Sequence, residues 1–595
     1  MKNIHFILPT VILLFTLVVY FGSLSNGFVS NWDDGIYLLD NVELKSIDHS
    51  GFGTFAKKAF TGFSNGHYHP ITTLVYGVVY KMFGLNPIAY HVLSLLIHLL
   101  NSLLIYFFVR LLLENAFIAF FVSLLFAIHP MHVESVAWIS DLKDLLCTLF
   151  YVSGLYVYVK NYNQPNLKSK SKVFVLFFLA LLSKSMAITM PFVLILYDFY
   201  KERKIVMSAI LAKTPMILLS VLFAYLSVLS QKSSNALGEM GSIPFYFRIC
   251  FASYALMMYL VKLVWFGGLS AFYNYPLIND AKLPLIYYLA VLVPIALMLL
   301  LFLSKWNKHF LWFCIGFFVI TIFPVLQLVP AGNVNLADRY TYLPYLGLFI
   351  LLGVILNQVL TYCNELLKKI VYMTSILFMV FSGYVSYSRT KVWKDSQSLW
   401  DDTIKKNPQA ALPYCNRGVL SFQKGNLESA LADFNTALQL SPWHVSSHYN
   451  RGLILMKFNR YKEALPDFTY VLNNNPRDVV SVLMNRALAY TYSGGYMDAI
   501  NDYTAVLKLN PNIADAYYYR ALNWHTINQF PNAVVDLDIV LRMNPKNSKA
   551  IVLRGLSYYK LSEFTKAYND LILAYQLGEA VDAALLEELK SRVSQ

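Results

Sequence analysis

Across 595 residues the chain is 57% hydrophobic and only 14% charged, with a mean hydropathy of +0.49. That excludes a single soluble domain and indicates a polytopic membrane protein. The formal net charge of +14 suggests nucleic acid at first sight, but the Lys and Arg residues gather in short loops between apolar runs, where membrane proteins carry them, so no nucleic-acid partner is expected. The five cysteines, Cys147, Cys250, Cys314, Cys363 and Cys415, form no CxxC and no even framework, and suggest neither disulfides nor a zinc site.

In chain order, apolar runs at 5–24, 88–112, 116–129, 143–159, 172–183, 186–199, 207–230, 284–303, 309–329, 341–361 and 370–387 read as spans. The first has one Lys ahead of it and no small-residue cleavage site, and reads as a retained span rather than a signal peptide. Four basic loops, 160–172, 201–204, 305–308 and 364–369, belong on the cytoplasmic side. For the signs to agree, a further apolar run at 246–266 must be re-entrant or shallow and packed against protein. The expectation is about eleven crossings, with loops 129–142, 231–283 and 330–340 and everything after 388 facing outward.

From Asn407 onward the sequence repeats. Asn407-Pro408, Ser441-Pro442, Asn475-Pro476, Asn510-Pro511 and Asn544-Pro545 recur every 34 or 35 residues, in register with Arg417, Arg451, Arg486, Arg520 and Arg554. Small residues at Gly418, Gly452, Ala487, Ala521 and Gly555 follow those arginines. A further row, Ala430, Ala464, Ala499, Ala533 and Ala567, is followed three residues on by Asp433, Asp467, Asp502, Asp536 and Asp570. This is the tetratricopeptide (TPR) pattern of stacked helix hairpins, whose curved surface suits an extended peptide; a structural spacer is the plainer alternative. The expected organisation is all-α: a membrane domain over 1–388, a linker over 389–407, five repeats over 408–577 and a capping helix over 578–595.

The candidate chemistry lies on the outward side. Asn31-Trp32-Asp33-Asp34-Gly35-Ile36-Tyr37 follows the first span. Adjacent carboxylates raise each other's pKa and suit a general base, although Asp34 also reads as a helix cap. With it the topology collects His67-Tyr68-His69-Pro70, the stretch from His129 through His132 to Glu134, Asp141-Leu142-Lys143-Asp144, Lys184 between two serines, and Asp338-Arg339-Tyr340. Ionisable groups at membrane depth indicate function by default. His129, His132 and Glu134 have loose metal-ligand spacing, with a hydrogen-bonded cap at the span's end equally open. Asp338–Arg339 alone reads as an interfacial salt bridge. The need for a divalent metal is open.

These motifs in this order resemble the membrane-and-TPR O-mannosyltransferase family of GT-C glycosyltransferases. The resemblance rests on Trp32-Asp33-Asp34; Tyr68-His69-Pro70-Ile71-Thr72-Thr73-Leu74; Gly84-Leu85-Asn86-Pro87; His129-Pro130 through Asp144; Leu182-Ser183-Lys184 with Thr189 and Pro191; and Ala337-Asp338-Arg339-Tyr340-Thr341-Tyr342-Leu343-Pro344, followed by the array. Animal members are similar to one another in an Arg before the Pro that here follows His69, and in an acidic residue where Ser185 stands. Those departures look like a bacterial branch. The resemblance implies an inverting membrane glycosyltransferase with a polyprenyl-phosphate-linked sugar donor and a protein acceptor held by the TPR groove. It would sit in a bacterial inner membrane with the array in the periplasm, or in the ER membrane and lumen of a eukaryote. By similarity to GT-C acidic pairs, Asp33 is the expected base and Asp34 its orienting partner or a metal ligand. Arg339 and Lys184 suit the donor phosphate by their charge. His69, His129, His132, Glu134, Lys143, Asp338 and Tyr340 are further site candidates. Two alternatives remain: a non-catalytic membrane-anchored TPR scaffold for envelope protein assembly, and a transferase acting on glycolipid or polysaccharide.

Overall fold

The computed structural model describes residues 4–63, 66–233, 243–276, 282–328, 334–474, 476 and 478–594. Among them every regular element is a helix, and an isolated bridge joins Tyr273 to Leu336. The chain divides into two compact units, Met1–Pro413 and Tyr414–Gln595.

Among the described residues of the first unit eight helices are long and apolar enough to cross a membrane, nine if Ala116–Ile128 and Pro130–Ala137, bent by 52°, make one span. The difference from eleven lies partly in two short runs. Those at 172–183 and 186–199 fold as Leu167–Ser183 and Met190–Glu202, of 17 and 13 residues, below the roughly 20 that a perpendicular span needs. The run 246–266 forms the helix Phe245–Lys262 and is not among the eight.

Helix boundaries follow local chemistry. Asn86 accepts from the Ile88 N–H at 3.1 Å while Pro87 presets the first turn of Pro87–Leu113. That helix ends on Glu114 in the left-handed conformation, φ 55°, and Asn115 caps the next helix by accepting from the Ile118 N–H at 3.0 Å. Polar groups tie the spans together inside. His98 Nδ1 meets the Tyr342 hydroxyl at 2.7 Å and Nε2 meets the Ala127 carbonyl at 2.9 Å, while Asn101 donates to the Leu145 carbonyl at 3.0 Å.

The feature that positions the site is a break. After Ile128 the chain runs as short helical turns to Asp141 before Leu142–Lys160 begins, and every residue from Ala127 to Thr148 is buried. Irregular backbone at membrane depth persists only inside protein, where its polar groups find partners. Here the Met131 N–H donates to His129 Nδ1, His129 Nε2 meets the Leu263 carbonyl at 3.1 Å, and His132 Nδ1 meets the Phe126 carbonyl at 2.8 Å. Ser386 donates to the Ile128 carbonyl at 2.7 Å and Tyr76 to the Ile139 carbonyl at 2.8 Å.

The second unit continues the hairpins that the period anticipates. They pair Ala411–Gln423 with Leu427–Leu440, Val445–Lys457 with Tyr461–Asn473, Val479–Ser493 with Tyr496–Leu509, Ala514–Thr526 with Phe530–Met543, and Ser548–Lys560 with Phe564–Gln576, followed by Ala583–Val593. Asn475 lies outside the described residues. A Cβ added at Gly418 or Gly452 would sit 2.9 Å from the ring of Phe434 or Phe468, which explains the row of small residues. The Arg and Asp rows are one device. Arg486 grips Asp502 with two bonds of 2.7 Å and reaches Thr469 of the preceding hairpin at 3.2 Å. Arg451, Arg520 and Arg554 repeat this with Asn435, Thr504 and Asp538 of the hairpin before each. Each fork thus joins the two helices of its repeat and that repeat to its neighbour.

Arg486→Ala leaves the buried Asp502 without its bidentate partner, at about 1–3 kcal/mol. Denaturant unfolding of the array should show that loss, Arg486→Lys should recover only part of it, and Arg460→Ala, at an exposed pair with Glu463, should show no resolvable shift.

Candidate active site

The two adjacent aspartates have different surroundings. Asp34 is 1% exposed. One of its oxygens accepts from the Val29 N–H at 2.8 Å, and the other accepts from the Ser140 N–H at 3.0 Å and from the Ser140 hydroxyl. Its carboxylate therefore clasps the first loop to the broken-helix segment. Asp33 is half-buried, and among the described residues it has no hydrogen-bond or ion-pair partner. Gly35 permits the turn: a Cβ there would lie 2.1 Å from the Ser30 carbonyl oxygen.

The segment after the last apolar helix fastens the same loop from the other side. The Gly27 N–H donates to the Lys394 carbonyl at 2.8 Å, Asn26 to the Thr390 carbonyl at 3.0 Å, and the Ser30 N–H to Ser396 Oγ at 2.9 Å. Trp400 donates to Asn31 at 2.9 Å. Trp32 stacks on Trp138 at 4.6 Å and also meets Trp393 and Trp400. Four tryptophans from three distant stretches thereby form the wall beside Asp33.

Trp138 carries the cations. The Arg339 guanidinium lies 5.3 Å from its ring and the Lys143 ammonium 5.9 Å. Arg339 is already engaged: its backbone N–H donates to Glu134 at 3.0 Å and its side chain donates to the other Glu134 oxygen. Lys184 pairs with Asp144. Tyr340 lies under both, 5.0 Å from the Arg339 guanidinium and 5.7 Å from the Lys184 ammonium. Burial lowers the pKa of Lys184, but the charges of Asp144 and Asp141 outweigh it and hold the ammonium above its ordinary value.

His69 Nδ1 is 3.2 Å from the Thr73 hydroxyl, and its ring meets Tyr37 at 5.3 Å and His67 at 6.1 Å. Burial, then the Lys143 charge, pushes its pKa down to about 3, so the imidazole is neutral. His67 is held well below its ordinary value by burial and then by Lys143, His69, Lys184 and Arg339. It is nonetheless exposed to solvent. A solvent-accessible ring in the field of Lys143, Lys184 and Arg339, closely surrounded by protein, indicates a hollow at this place.

Other candidates are placed elsewhere. Both nitrogens of His129 and one of His132 are engaged in the caps at the helix break, and the Glu134 carboxylate faces Arg339. Among the described residues no group of three or more His, Cys, Asp or Glu side chains is placed to hold a metal ion. Asp338 is buried and accepts from the Tyr273 hydroxyl at 2.7 Å, in the field of Lys262, Arg389 and Lys406. Residues that the sequence did not single out include Ser140, Trp138 and the distant Trp393 and Trp400. Asp141 and Asp144 were visible only as part of an acidic stretch; the buried Asp141 lies beside Asp144 and Lys184.

Burial raises the Asp34 carboxyl to about 6, against the bonds from Ser140 and Val29. With a folded pKa above the ordinary carboxylate value, its contribution to stability is most favourable at low pH and falls as pH rises through about 6. Asp34→Asn puts an NH2 group where three donors converge and should cost about 1–3 kcal/mol at neutral pH. Thermal unfolding of the purified protein should show that loss, with Asp33→Asn melting like wild type.

The family models "TPR repeat" and "Tetratricopeptide repeat" match residues 420–457 and 484–536. The chain is 24% identical over 400 residues to protein O-mannosyl-transferase F38B6.6 of Caenorhabditis elegans, covering 64% of this chain and 55% of the relative. It is 23% identical over 518 residues to human protein O-mannosyl-transferase TMTC3, covering 75% and 53%, and 22% identical over 437 residues to human TMTC1, covering 64% and 49%. Among solved structures, the TPR protein YrrB is 21% identical over 32% of this chain and 97% of its own, with a TM-score of 0.30. The chain spans about half the length of the curated relatives it matches, and over that half it resembles the TMTC family of protein O-mannosyl-transferases.

Proposed function

We propose that the chain is a membrane glycosyltransferase that moves a sugar, mannose by similarity to its relatives, from a polyprenyl-phosphate carrier to a hydroxyl of a protein acceptor. The observation that carries this reading is the contrast within the Asp pair. One carboxylate is consumed by structure, and the other is free of partners among the described residues and follows Trp32, whose ring stacks on the Trp138 that carries Arg339 and Lys143. The reaction on the non-cytoplasmic face is a single displacement. Asp33 takes the acceptor's proton as the hydroxyl oxygen attacks the anomeric carbon, and the bond from that carbon to the phosphate oxygen breaks with its electron pair on the phosphate. Attack opposite the leaving group inverts the anomeric centre. Arg339 and Lys184, fixed by Glu134 and Asp144, offset the charge that develops on the phosphate. Neutral His67 and His69 line the hollow without adding charge. The TPR array, on the same side of the membrane, holds the acceptor polypeptide.

Single-turnover transfer from a polyprenyl-phosphate mannose donor tests this. Asp33→Asn keeps the shape and removes the proton acceptor, so the rate should fall roughly 100-fold or more with donor affinity retained. Wild-type transfer by folded Asp33→Asn together with loss in folded Asp34→Asn would reverse the roles within the pair. Wild-type rates in both would exclude the mechanism.

A further inference from the structure

The three cations around the hollow are not equivalent. Arg339 is bound to Glu134 and Lys184 to Asp144. Lys143 is 8% exposed, and among the described residues no carboxylate pairs with it. Its ammonium rests over two aromatic faces, 5.5 Å from the Tyr37 ring centroid and 5.9 Å from that of Trp138. Burying an ammonium without an ion-pair partner costs several kcal/mol, and two cation–π contacts return only a part of it. Asp141, two residues back, lies within electrostatic reach of Lys143 but makes no ion pair with it, and His67 and His69 are kept neutral by burial and by this same charge. A protein that retains an unpaired, desolvated cation next to a solvent-accessible hollow has built a site for an anion.

We infer that Lys143 is the residue that binds the donor's phosphate directly, while Glu134-bound Arg339 and Asp144-bound Lys184 position the field around it. This rests on the glycosyltransferase reading and deepens it by naming the phosphate's ligand. Two features suit Lys143 to the task. An ammonium is a point charge with three rotatable donors, able to follow a phosphate whose charge grows as the sugar departs. It is also fixed between Tyr37, on the loop that carries Asp33, and Trp138, on the broken helix. The phosphate is therefore held between the loop that carries Asp33 and the broken helix. An ion pair already complete, as at Arg339 or Lys184, has to share or break its carboxylate contact to make the same bond.

The test is binding of farnesyl phosphate, and separately of GDP, to the purified full chain in detergent, with melting temperature and donor KM measured alongside. Farnesyl phosphate should bind wild type and Asp33→Asn alike, and Lys143→Met at least about tenfold more weakly. Lys143→Arg should restore binding, and the donor KM of Lys143→Met should rise by more than its kcat falls. The melting temperature of Lys143→Met should be unchanged or higher, since removing an unpaired buried charge is not destabilising. Lys143-dependent binding of GDP in place of farnesyl phosphate would support the same phosphate ligand and move the source from a lipid-linked to a nucleotide-linked sugar. Wild-type farnesyl phosphate affinity in Lys143→Met, or a fall in its melting temperature, would overturn the assignment. If Asp33→Asn still abolished transfer in that case, the glycosyltransferase reading would stand. Failure of wild type to bind either phosphate would overturn both.

Discussion

The Asp34 carboxylate, with three donors on its two oxygens, joins two stretches more than a hundred residues apart: the loop after the first span and the buried break that follows Ile128. A charge this buried persists only because the donors replace its water. That requirement makes the contact informative. Remove a donor and the carboxylate loses its reason to be inside; remove the carboxylate and Ser140 and Val29 lose their acceptor. The position of Asp33 follows from it, since the neighbouring residue is held by a clasp that it takes no part in.

The same logic extends through the unit. Irregular backbone from His129 to Asp141 exists within an apolar protein because its own groups find partners, the Met131 N–H on His129 and the Ile139 carbonyl on Tyr76, while His129, His132 and Ser386 bond the carbonyls of Leu263, Phe126 and Ile128 around it. The break then presents Glu134, Trp138 and Lys143 from one short stretch, which an uninterrupted helix would spread over its faces. Glu134 and Asp144 each hold a cation, and the tryptophans brought by the segment after residue 390 close the wall. Buried pairs with one partner removed are strongly destabilised, so Arg339 and Lys184 contribute to shape through Glu134 and Asp144, whereas Lys143 makes no such pair among the described residues.

Much of this was legible in the sequence. The repeat period, the small-residue row and the matched Arg and Asp rows specify the helix hairpins because each hairpin must bury the same face against the next. The signs of the loops led to the expectation that the polar stretches converge, and the structure brings Trp32 and Arg339 onto Trp138 and His69 and Lys143 onto Tyr37. What could not be read was the difference between two identical neighbours: Asp33 and Asp34 share composition and charge, and only tertiary partners at Ser140 and Val29 separate them. His129 and His132 offered a metal ligand pair or a helix cap with equal plausibility, and the decision came from carbonyls such as Leu263, 134 residues away. The tryptophan wall was invisible for the same reason, since Trp32 and Trp393 are neighbours through folding alone. The eleven apolar runs outnumber the eight or nine helices that are long and apolar enough to cross, because runs such as 186–199 satisfy hydropathy while their helix, Met190–Glu202, has 13 residues.

The central claim is that a free carboxylate beside a cation-lined hollow transfers sugar to protein. The most direct measurement is glycoproteomic mass spectrometry of non-cytoplasmic proteins from cells that lack the native gene and carry either the intact chain or Asp33→Asn at matched abundance. The account predicts hexose on Ser or Thr residues of specific proteins with the intact chain and its loss with Asp33→Asn. Identical hexose occupancy in both, at positions absent from cells without either chain, would contradict it.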